Sequence, residues 1–434
     1  MKKSIILLIS LVLSIATAAA QDTLRKGQVL GEGAYASVLT CGPGDEFYET
    51  FGHSALRICD TANGIDTVFN YGMFSFGEPH FYLKFAGGQL NYYVSAQSFE
   101  NFILEYRYFG RSVFEQRLRL TPSELQTLYE ALKTNALPEN KYYLYDFFRD
   151  NCATRVRDKI EESLDGRTIL NNSLPADAAT YRDLVYKYTD STLLWWRLGV
   201  DLLLGARCDK PMTAAQYMYI PMEMMMQLDT LLTADGTTLT EPTVQLLTDK
   251  RVPMKKSVSP TMCFWLLFSI VLLLTLLARR KGWRLYWLDG ILYGVAGLVG
   301  LLLTYMWIGS DHWCTKANPN LLWANPLMLV LLLRLRHRNT AIVLVVACCL
   351  LAALVGWMLP PIHFNSAVLP IVLMLLVRLF LSGKRKAESG KRKAESGKRK
   401  AESGKRKTES GKRKTESGKR KAMSSNILLL MFKN

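Results

Sequence analysis

The stretch that decides the fold is Asp150-Asn151-Cys152-Ala153-Thr154-Arg155. An aromatic and polar segment without helical periodicity, residues 142–149, comes before it. Good helix formers follow it, with one apolar face made of Val156, Ile160 and Leu164. We therefore predict that Cys152 lies at a helix N-terminus, where free backbone N–H groups and the helix dipole favour a thiolate. Asp150 and Asn151 are the candidates for the N-cap residue.

A nucleophilic thiol needs a base to remove its proton, and the chain offers few. Of its five histidines, only His53 and His80 precede the apolar C-terminal half. His53 follows a glycine and opens an alternating, strand-like run, so we predict that it pairs in space with Cys152 across about a hundred intervening residues. His80 lacks this setting and is the second candidate. The alternative is a structural turn histidine and an inert, buried cysteine.

Three motifs in one order carry a resemblance to a known family. They are Phe51-Gly52-His53-Ser54-Ala55, Phe69-Asn70-Tyr71-Gly72-Met73-Phe74, and the cysteine motif at residues 150–155. Together they resemble the periplasmic domain of the lipoprotein N-acyltransferase Lnb family, over roughly residues 30–215. That family is similar to circularly permuted papain-like enzymes, in which the histidine precedes the cysteine. The resemblance implies an α+β domain, an antiparallel sheet plus helices, with Cys152 as nucleophile and His53 as base.

The expected chemistry is acyl transfer. The Cys152 thiolate would attack an ester carbonyl while His53 accepts the thiol proton, which gives a thioester that an amine then takes over. A backbone N–H at the helix start and the Asn151 side chain are the candidates for holding the oxyanion. In the family that the chain resembles, the donor is the diacylglyceryl group of the lipoprotein and the acceptor is its N-terminal cysteine amine. A separate phospholipid remains open as the donor.

The third catalytic residue remains open among three polar side chains. Ala62-Asn63-Gly64 predicts a hairpin, which brings the strand of Asp66 and Asn70 beside the strand that His53 opens. Asp60, Asp66 or Asn70 is therefore expected to orient the imidazole, and Asn70 joins Cys152, His53 and Asn151 in the catalytic set. The candidates for substrate binding are Arg57, Tyr71, Arg155 and His312.

Composition points to a membrane protein. Hydrophobic residues make up 49% of the 434 residues, and the mean hydropathy of +0.07 is high for a soluble protein. The net charge is +17, but the basic tail from residue 383 carries +14 of it. The remainder is too weakly basic for a nucleic-acid partner, so the expected partners are diacylated lipoproteins or phospholipid, and the membrane. No cofactor is expected, and no cysteine spacing resembles a zinc site.

The order of segments predicts five regions. Residues 1–20 read as a signal peptide, because lysines precede an apolar run and three alanines. Residues 21–215 form the exported catalytic domain, 216–260 a helical connector, and 261–382 an all-α membrane domain of about five spans. The spans are expected near 262–278, 286–308, 320–335, 340–359 and 363–381, the third interrupted by Asn325-Pro326. Residues 383–434 repeat Gly-Lys-Arg-Lys with a period of seven and are expected to be disordered.

Basic joints between the spans set the expected orientation. Arginines and lysines at 279–284 and 334–338, and those of the tail, are typical of cytoplasmic loops. The chain is therefore placed in the bacterial inner (cytoplasmic) membrane as a multi-pass protein, with its catalytic domain on the periplasmic side and its tail in the cytoplasm. The outer joints contain polar residues that would either line the bottom of a lipid site under the thiol or form hydrogen bonds at helix ends. They include Asp311, His312, Asn318, Asn320, His363 and Asn365.

Two other functions remain open. The same Cys–His pair would serve an exported cysteine peptidase or amidase acting on the cell wall. A non-catalytic membrane assembly factor with a decayed site is the other alternative. The spans and aromatic stretches favour lipid chemistry over the first, and the intact Cys152 and His53 argue against the second. The exported location also makes a disulfide between Cys41 and Cys59 conceivable.

Overall fold

In the computed structural model, seven strands form one antiparallel sheet in the N-terminal domain, which is called the catalytic domain below after its predicted role. The count covers the residues that the structure describes: 28–164, 180–189, 192–252, 255–333, 340–359 and 362–431. The sheet order is β6-β4-β3-β2-β1-β5-β7. The strands are β1 Tyr35–Cys41, β2 His53–Asp60, β3 Ile65–Met73, β4 Asn91–Ser98, β5 Val113–Arg117, β6 Tyr142–Leu144 and β7 Val244–Leu247. The predicted hairpin is confirmed, since Asp60 of β2 pairs with Ile65 of β3.

Helices cover both faces of the sheet. On one face, α3 (Pro122–Ala136) and α4 (Cys152–Ser163) pack with Leu56, Ile58 and Phe69. On the other face, α2 (Phe99–Tyr108) packs against residues of β1 to β3. A short helix, α1 (Phe81–Gly87), stands between β3 and β4. Fully burying a side chain such as Leu or Phe stabilises the fold by about 1.5–3 kcal/mol, so these contacts hold the helices against the sheet.

The N-terminus of α3 follows a local sequence signal. Thr121 accepts a hydrogen bond from the backbone N–H of Glu124, and the Glu124 carboxylate accepts one from the N–H of Thr121 at 2.7 Å. Pro122 occupies the first turn, where its missing N–H costs nothing. Such a capping box satisfies two backbone donors that the helix itself leaves free.

Residues after the cysteine helix complete the catalytic domain. They form the helices α5 Tyr181–Tyr188, α6 Leu194–Leu203, α7 Ala214–Tyr217 and α8 Pro221–Leu228, and then β7. The prediction of a helical connector over 216–260 is wrong for its second half, because Val244 to Leu247 form the edge strand β7, which pairs with β5. Met224 of α8 is fully buried in the core of the catalytic domain. The connector is thus part of the catalytic domain.

Helices make up the membrane domain. They are α9 Pro260–Lys281, α10 Tyr286–Ile308, α11 Leu327–Leu333, α12 Thr340–Met358 and α13 Val368–Met431. Among the described residues, α9, α10 and α12 are long and apolar enough to cross a membrane. Two shorter apolar helical segments are Pro319–Leu332, which includes most of α11, and Val368–Leu381, the first part of α13. The predicted interruption at Asn325-Pro326 is present, where a 3-10 turn ends at Leu322 and α11 begins at Leu327.

A buried ion pair joins the membrane helices. Arg378 of α13 donates to the carboxylate of Asp289 in α10 at 2.8 Å and to the hydroxyl of Thr275 in α9 at 3.0 Å. All three residues are at most 4% exposed. Because removing one partner of a buried ion pair leaves an uncompensated charge, this contact fixes the packing of α9, α10 and α13.

The basic repeat continues α13, contrary to the expected disorder. Ala, Lys, Arg and Glu are good helix formers, and Glu402 precedes Arg406 by four residues, which favours a helix. The side chains described between 395 and 420 are exposed. The lack of apolar heptad positions excludes a coiled coil but not a single solvated helix. The predicted signal peptide, residues 1–20, lies outside the described residues.

The sheet register contradicts a disulfide between Cys41 and Cys59. Cys41 pairs with His53, whereas Cys59 pairs with Tyr35 at the other end of β1. Six residues of extended strand separate the two positions by roughly 20 Å. A disulfide requires Cα atoms within about 7 Å, so these cysteines cannot be joined in this fold.

The catalytic domain rests on the outer joints of the membrane domain. Asp201 of α6 accepts from Asn365 at 2.9 Å, and Asp201 and Asp209 both pair with the buried Arg182. The Asn318 side chain donates to the backbone carbonyl of Leu202 at 2.8 Å. These contacts fix the position of the catalytic domain on the membrane domain.

Gly205 allows the closest approach in this junction. Its N–H donates to the carbonyl of Cys314 at 2.7 Å. A Cβ at this position would lie 1.9 Å from the carbonyl oxygen of Lys316, which no side chain tolerates. The outer joint between α10 and α11 therefore packs directly on the backbone of the catalytic domain.

Candidate active site

Cys152 is the first residue of α4, as predicted. Asn151 is the N-cap, and its side-chain oxygen accepts from the N–H groups of Ala153 at 2.9 Å and Thr154 at 3.0 Å. Thr154 returns a bond by accepting the N–H of Asn151 at 2.8 Å, which completes a capping box. Cys152 is 8% exposed, so the thiol faces the interior of the domain.

The backbone N–H groups of three residues lie close enough to the Cys152 thiol to lower its pKa. They belong to Ser54 at the start of β2, and to Cys152 and Ala153 in the first turn of α4. Such donors stabilise negative charge on sulfur and are also suited to an oxyanion that forms beside it. The contact with Ser54 ties the cysteine helix to the strand that His53 opens.

His53 lies at the start of β2 and is half-buried. Its Nε2 is in short contact with the side-chain oxygen of Asn70, in the neighbouring strand β3. Because an amide oxygen can only accept, Nε2 carries the proton and Nδ1 keeps the lone pair. Of the three candidates for orienting the imidazole, the structure selects Asn70. Asp66 instead pairs with Arg57, and Asp60 accepts from the N–H of Gly31.

Gly72 brings the thiol and the imidazole together. It has a φ of +83°, and a Cβ on it would lie 3.4 Å from Cβ of Cys152 and 3.8 Å from Cε1 of His53. The cysteine and the histidine therefore flank the same glycine. A side chain at this position would occupy the space between them, and few residues other than glycine adopt this backbone conformation.

Burial keeps both partners uncharged at rest. It lowers the pKa of His53 to about 4, against a smaller rise from the bond to Asn70. It raises the pKa of the Cys152 thiol to about 11, although the three backbone N–H groups and Arg111 act in the opposite direction. At neutral pH the site therefore holds a thiol and a neutral imidazole. Attack by this sulfur would therefore require the imidazole to take the proton, as a general base does.

Asn151 positions the helix and leaves no donor for an oxyanion. Its amide nitrogen donates to the carbonyls of Phe147 and Tyr219, both at 2.8 Å. The two amide hydrogens are thereby used, so the expectation that this side chain holds the oxyanion is wrong. The backbone N–H groups at the helix start remain for that role.

The predicted substrate-binding residues already have partners within the chain. Arg57 pairs with Asp66 and Glu115, and Arg155 pairs with Asp150 and lies over the ring of Tyr143. Tyr71 is fully buried and donates to Asn135 at 2.9 Å, so the structure contradicts its role as a substrate contact.

His312 and His80 lie away from the thiol–imidazole pair. His312 donates from Nε2 to the carbonyl of Phe85 at 2.8 Å and so belongs to the junction with α1. His80 is exposed and caps α1 in the left-handed conformation, with a φ of 58°. The structure therefore favours His53 over His80 as the base.

Sequence reasoning missed Arg111. This buried arginine donates twice to the carbonyl of Gly42, and at 2.7 Å to the carboxylate of Glu49. It thereby holds the loop that leads from β1 to His53, and its charge lowers the pKa values of His53 and Cys152. No local pattern marked it, because its partners lie more than sixty residues away in sequence.

Titratable side chains elsewhere do not gather into a metal site. Among the residues that the structure describes, no group of three or more His, Cys, Asp or Glu side chains is arranged to hold a metal ion. The groups that the structure places at this site are the Cys152 thiol, the His53 imidazole and backbone N–H groups.

Comparison with known families gives two matches. The model of the Lnb N-terminal periplasmic domain matches residues 20–188, and the model of the Lnb transmembrane domain matches residues 253–386. The first match contains His53, Asn70, Gly72 and Cys152. No curated protein and no solved structure matches the chain.

Proposed function

The chain belongs to the Lnb family in both its periplasmic and its transmembrane domain, and from this premise we propose that it is a cysteine-dependent acyltransferase. It moves a fatty acyl group, through a thioester on Cys152, to the N-terminal cysteine amine of bacterial lipoproteins. The observation that carries the proposal is the position of Cys152 at the start of α4. It lies beside Gly72, and so does the imidazole of His53, which Asn70 orients.

In the first step the donor ester is cleaved. The sulfur of Cys152 attacks the ester carbonyl while Nδ1 of His53 takes the thiol proton. The backbone N–H groups of Cys152 and Ala153 lie beside the sulfur and stabilise the negative oxygen of the tetrahedral intermediate. When the C–O bond breaks, the imidazolium returns the proton to the leaving alkoxide. The products are a thioester and a free hydroxyl on the donor.

In the second step the amine of the lipoprotein attacks the thioester carbonyl. His53 accepts a proton from the attacking nitrogen, the C–S bond breaks, and the sulfur leaves with that proton as the thiol. The product is an amide, and the site returns to its neutral resting state. No redox change or cofactor is involved in either step.

The position of the site suits a substrate held in the bilayer. The outer joints of the membrane helices bind the catalytic domain directly, through Asn318, Asn365 and the backbone of Cys314. This arrangement agrees with the basic inner joints and supports a bacterial inner-membrane location with a periplasmic site and a cytoplasmic tail. The substrate partners are diacylated lipoproteins, with the acyl donor either internal or a separate phospholipid.

The test uses the detergent-purified protein and a diacylated lipopeptide with a free N-terminal cysteine. Wild type, Cys152→Ala and the matched Cys208→Ala are incubated with it, and the products are analysed by fragmentation mass spectrometry. We expect wild type and Cys208→Ala to place an acyl group on the amine, and Cys152→Ala to leave the peptide unchanged. An unchanged total mass identifies an internal shift, and an increased mass identifies a phospholipid donor.

The contrary outcome is equally clear. If wild type leaves the lipopeptide intact but cleaves a cell-wall peptide, and Cys152→Ala does not, the protein is a cysteine peptidase or amidase. Acyl transfer by Cys152→Ala at the wild-type rate would mean that the thiol has no part in the reaction.

A further inference from the structure

A cluster of aromatic side chains covers α1 and the loop before it. This aromatic surface consists of Tyr48, Phe74, Phe76, Phe81, Tyr82 and Phe85. Neighbouring rings touch, with centroids 5.0 Å apart for Phe74 and Phe76 and also for Phe76 and Phe81. Phe76 is 63% exposed, Tyr82 79% and Phe85 53%. Leaving so much connected apolar area in water is unfavourable, and patches of this kind mark binding sites.

One end of the aromatic surface reaches the thiol. Phe74 follows Gly72 by two residues, and its ring packs on Tyr92 with centroids 5.2 Å apart. Tyr92 stacks on Tyr145 at 4.1 Å. Tyr145 in turn is close enough to Cys152 to interact with it electrostatically. The rings therefore form a continuous row of contacts from the aromatic surface to Tyr145, beside the cysteine motif.

The other end reaches the membrane domain. The outer joint after α10 binds α1 through Asp311, whose N–H donates to the carbonyl of Gly87 at 2.8 Å. The bond from His312 to the carbonyl of Phe85 lies beside it. A Cβ on Gly87 would lie 3.6 Å from the hydroxyl of Tyr305, which belongs to α10 itself. Phe85 thus stands where a membrane-spanning helix leaves the bilayer.

An acyl chain fits both ends of this path. Each methylene that leaves the bilayer for water costs about 0.8 kcal/mol, whereas aromatic rings offer an apolar replacement along the way. The charged side chain of α1 does not interrupt the path, since Lys84 pairs with Glu78 at 2.7 Å.

We propose that the aromatic surface binds an acyl chain of the donor lipid while the ester carbonyl of that chain reaches Cys152. The surface lies between the outer end of α10 and the thiol, so the chain keeps apolar contacts on its way from one to the other. This inference rests on the proposed function, because it assigns the substrate contact of the same site.

The test compares two esters in the full-length protein. Acylation of Cys152 by p-nitrophenyl acetate and by p-nitrophenyl palmitate is followed by release of p-nitrophenolate. The variant Phe76→Ser/Phe85→Ser removes two rings of the surface. Tyr108→Ser/Phe109→Ser is the matched control, since these two rings at the end of α2 are 80% and 57% exposed.

We expect the surface variant to lower kcat/KM for the palmitate ester by about 10-fold or more and to leave the acetate ester within about 2-fold. The control variant is expected to change neither. A matching fall for both esters would overturn the proposal in favour of a structural role for the rings. Unchanged kinetics with both esters would also overturn it, as would a variant that is monomeric where wild type is dimeric, since a second copy would then cover the surface.

The same experiment separates this inference from the proposed function. If both esters acylate Cys152 and the surface variant loses only the palmitate reaction, the acyl-binding surface stands. A wild-type protein that behaves in this way yet moves no acyl group to a lipopeptide amine would overturn the proposed N-acyl transfer alone.

Discussion

Two buried cysteines of the catalytic domain have similar burial and different surroundings. Cys152 is 8% exposed and Cys208 is fully buried, and burial raises the pKa of both thiols. Cys208 donates to the carbonyl of Cys314 at 3.4 Å and packs among aromatic rings such as Tyr181 and Tyr219. Cys152 instead has backbone donors around its sulfur and shares Gly72 with His53. Burial keeps both thiols protonated, and of the two only Cys152 has neighbours that suit the proposed role of a nucleophile.

The largest effect is expected from removing the nucleophile itself. Cys152→Ser should lower the rate of lipopeptide acylation by about 10³-fold or more, because a neutral hydroxyl cannot replace the thiol in this site. Cys208→Ala should keep the rate within about 2-fold, although it loses packing in the junction. Rates from mass spectrometry check both, and comparable losses in the two variants would erase the distinction between the two cysteines.

The next effect concerns the residue that orients the base. Asn70→Ala frees the imidazole, so kcat should fall by about 10²-fold. In wild type the rate should remain on its plateau down to pH 5 and fall with a midpoint near the His53 pKa of about 4, because only the neutral imidazole accepts a proton. Asn70→Asp should move this midpoint upward, since a carboxylate stabilises the imidazolium. A pH–rate profile checks the shift, and an unmoved midpoint would remove His53 from the role of base.

A smaller effect is expected from two glycine variants. Gly72 and Gly64 both have a positive φ, +83° and +65°, but a Cβ on Gly64 would contact nothing within 4 Å. Alanine at either position should cost about 1–2 kcal/mol of unfolding free energy from backbone strain. Only Gly72→Ala should also slow acylation, by about 10-fold, because its methyl group enters the space between thiol and imidazole. Denaturation and rate measurements on both variants check this, and equal rates would show that the space is not needed.

The smallest effect is expected from the basic tail. Residues 395–420 are exposed along α13 and lie far along the chain from the thiol. Deleting residues 383–434 should change the acylation rate in detergent by no more than about 2-fold, as for other changes at a solvated surface. A larger loss would show that the tail affects the site. The burial and the neighbours of Cys152 would then not be enough to explain its reactivity.

The parts of the fold that sequence predicted well depend on local signals. The hairpin at Asn63-Gly64, the capping box at Thr121 and the helix that Cys152 opens each follow from a few adjacent residues. The edge strand β7 was missed, since its pairing with β5 joins segments more than a hundred residues apart. The helical tail was missed because its composition fits both a solvated helix and a disordered chain.

The residues of the site also divide into those with a local sequence signal and those that depend on distant contacts. Cys152 and His53 stand in recognisable motifs, whereas Asn70 became distinguishable from Asp60 and Asp66 only when the sheet register was known. From their motifs alone, Asn151 is expected to hold the oxyanion and Tyr71 to contact the substrate. Their hydrogen bonds to Phe147, Tyr219 and Asn135 arise from tertiary packing, which no local pattern reveals. Arg111 was missed for the same reason.

The protonated resting state of Cys152 has a consequence for the lifetime of the enzyme. Exported compartments are oxidising, and thiolates react with peroxides and disulfides far faster than thiols do. With a thiol pKa of about 11, the Cys152 side chain exposes almost no thiolate at neutral pH until a substrate carbonyl arrives to share the charge. Under the proposed function, burial thus protects the nucleophile from oxidation between turnovers outside the reducing environment of the cytoplasm.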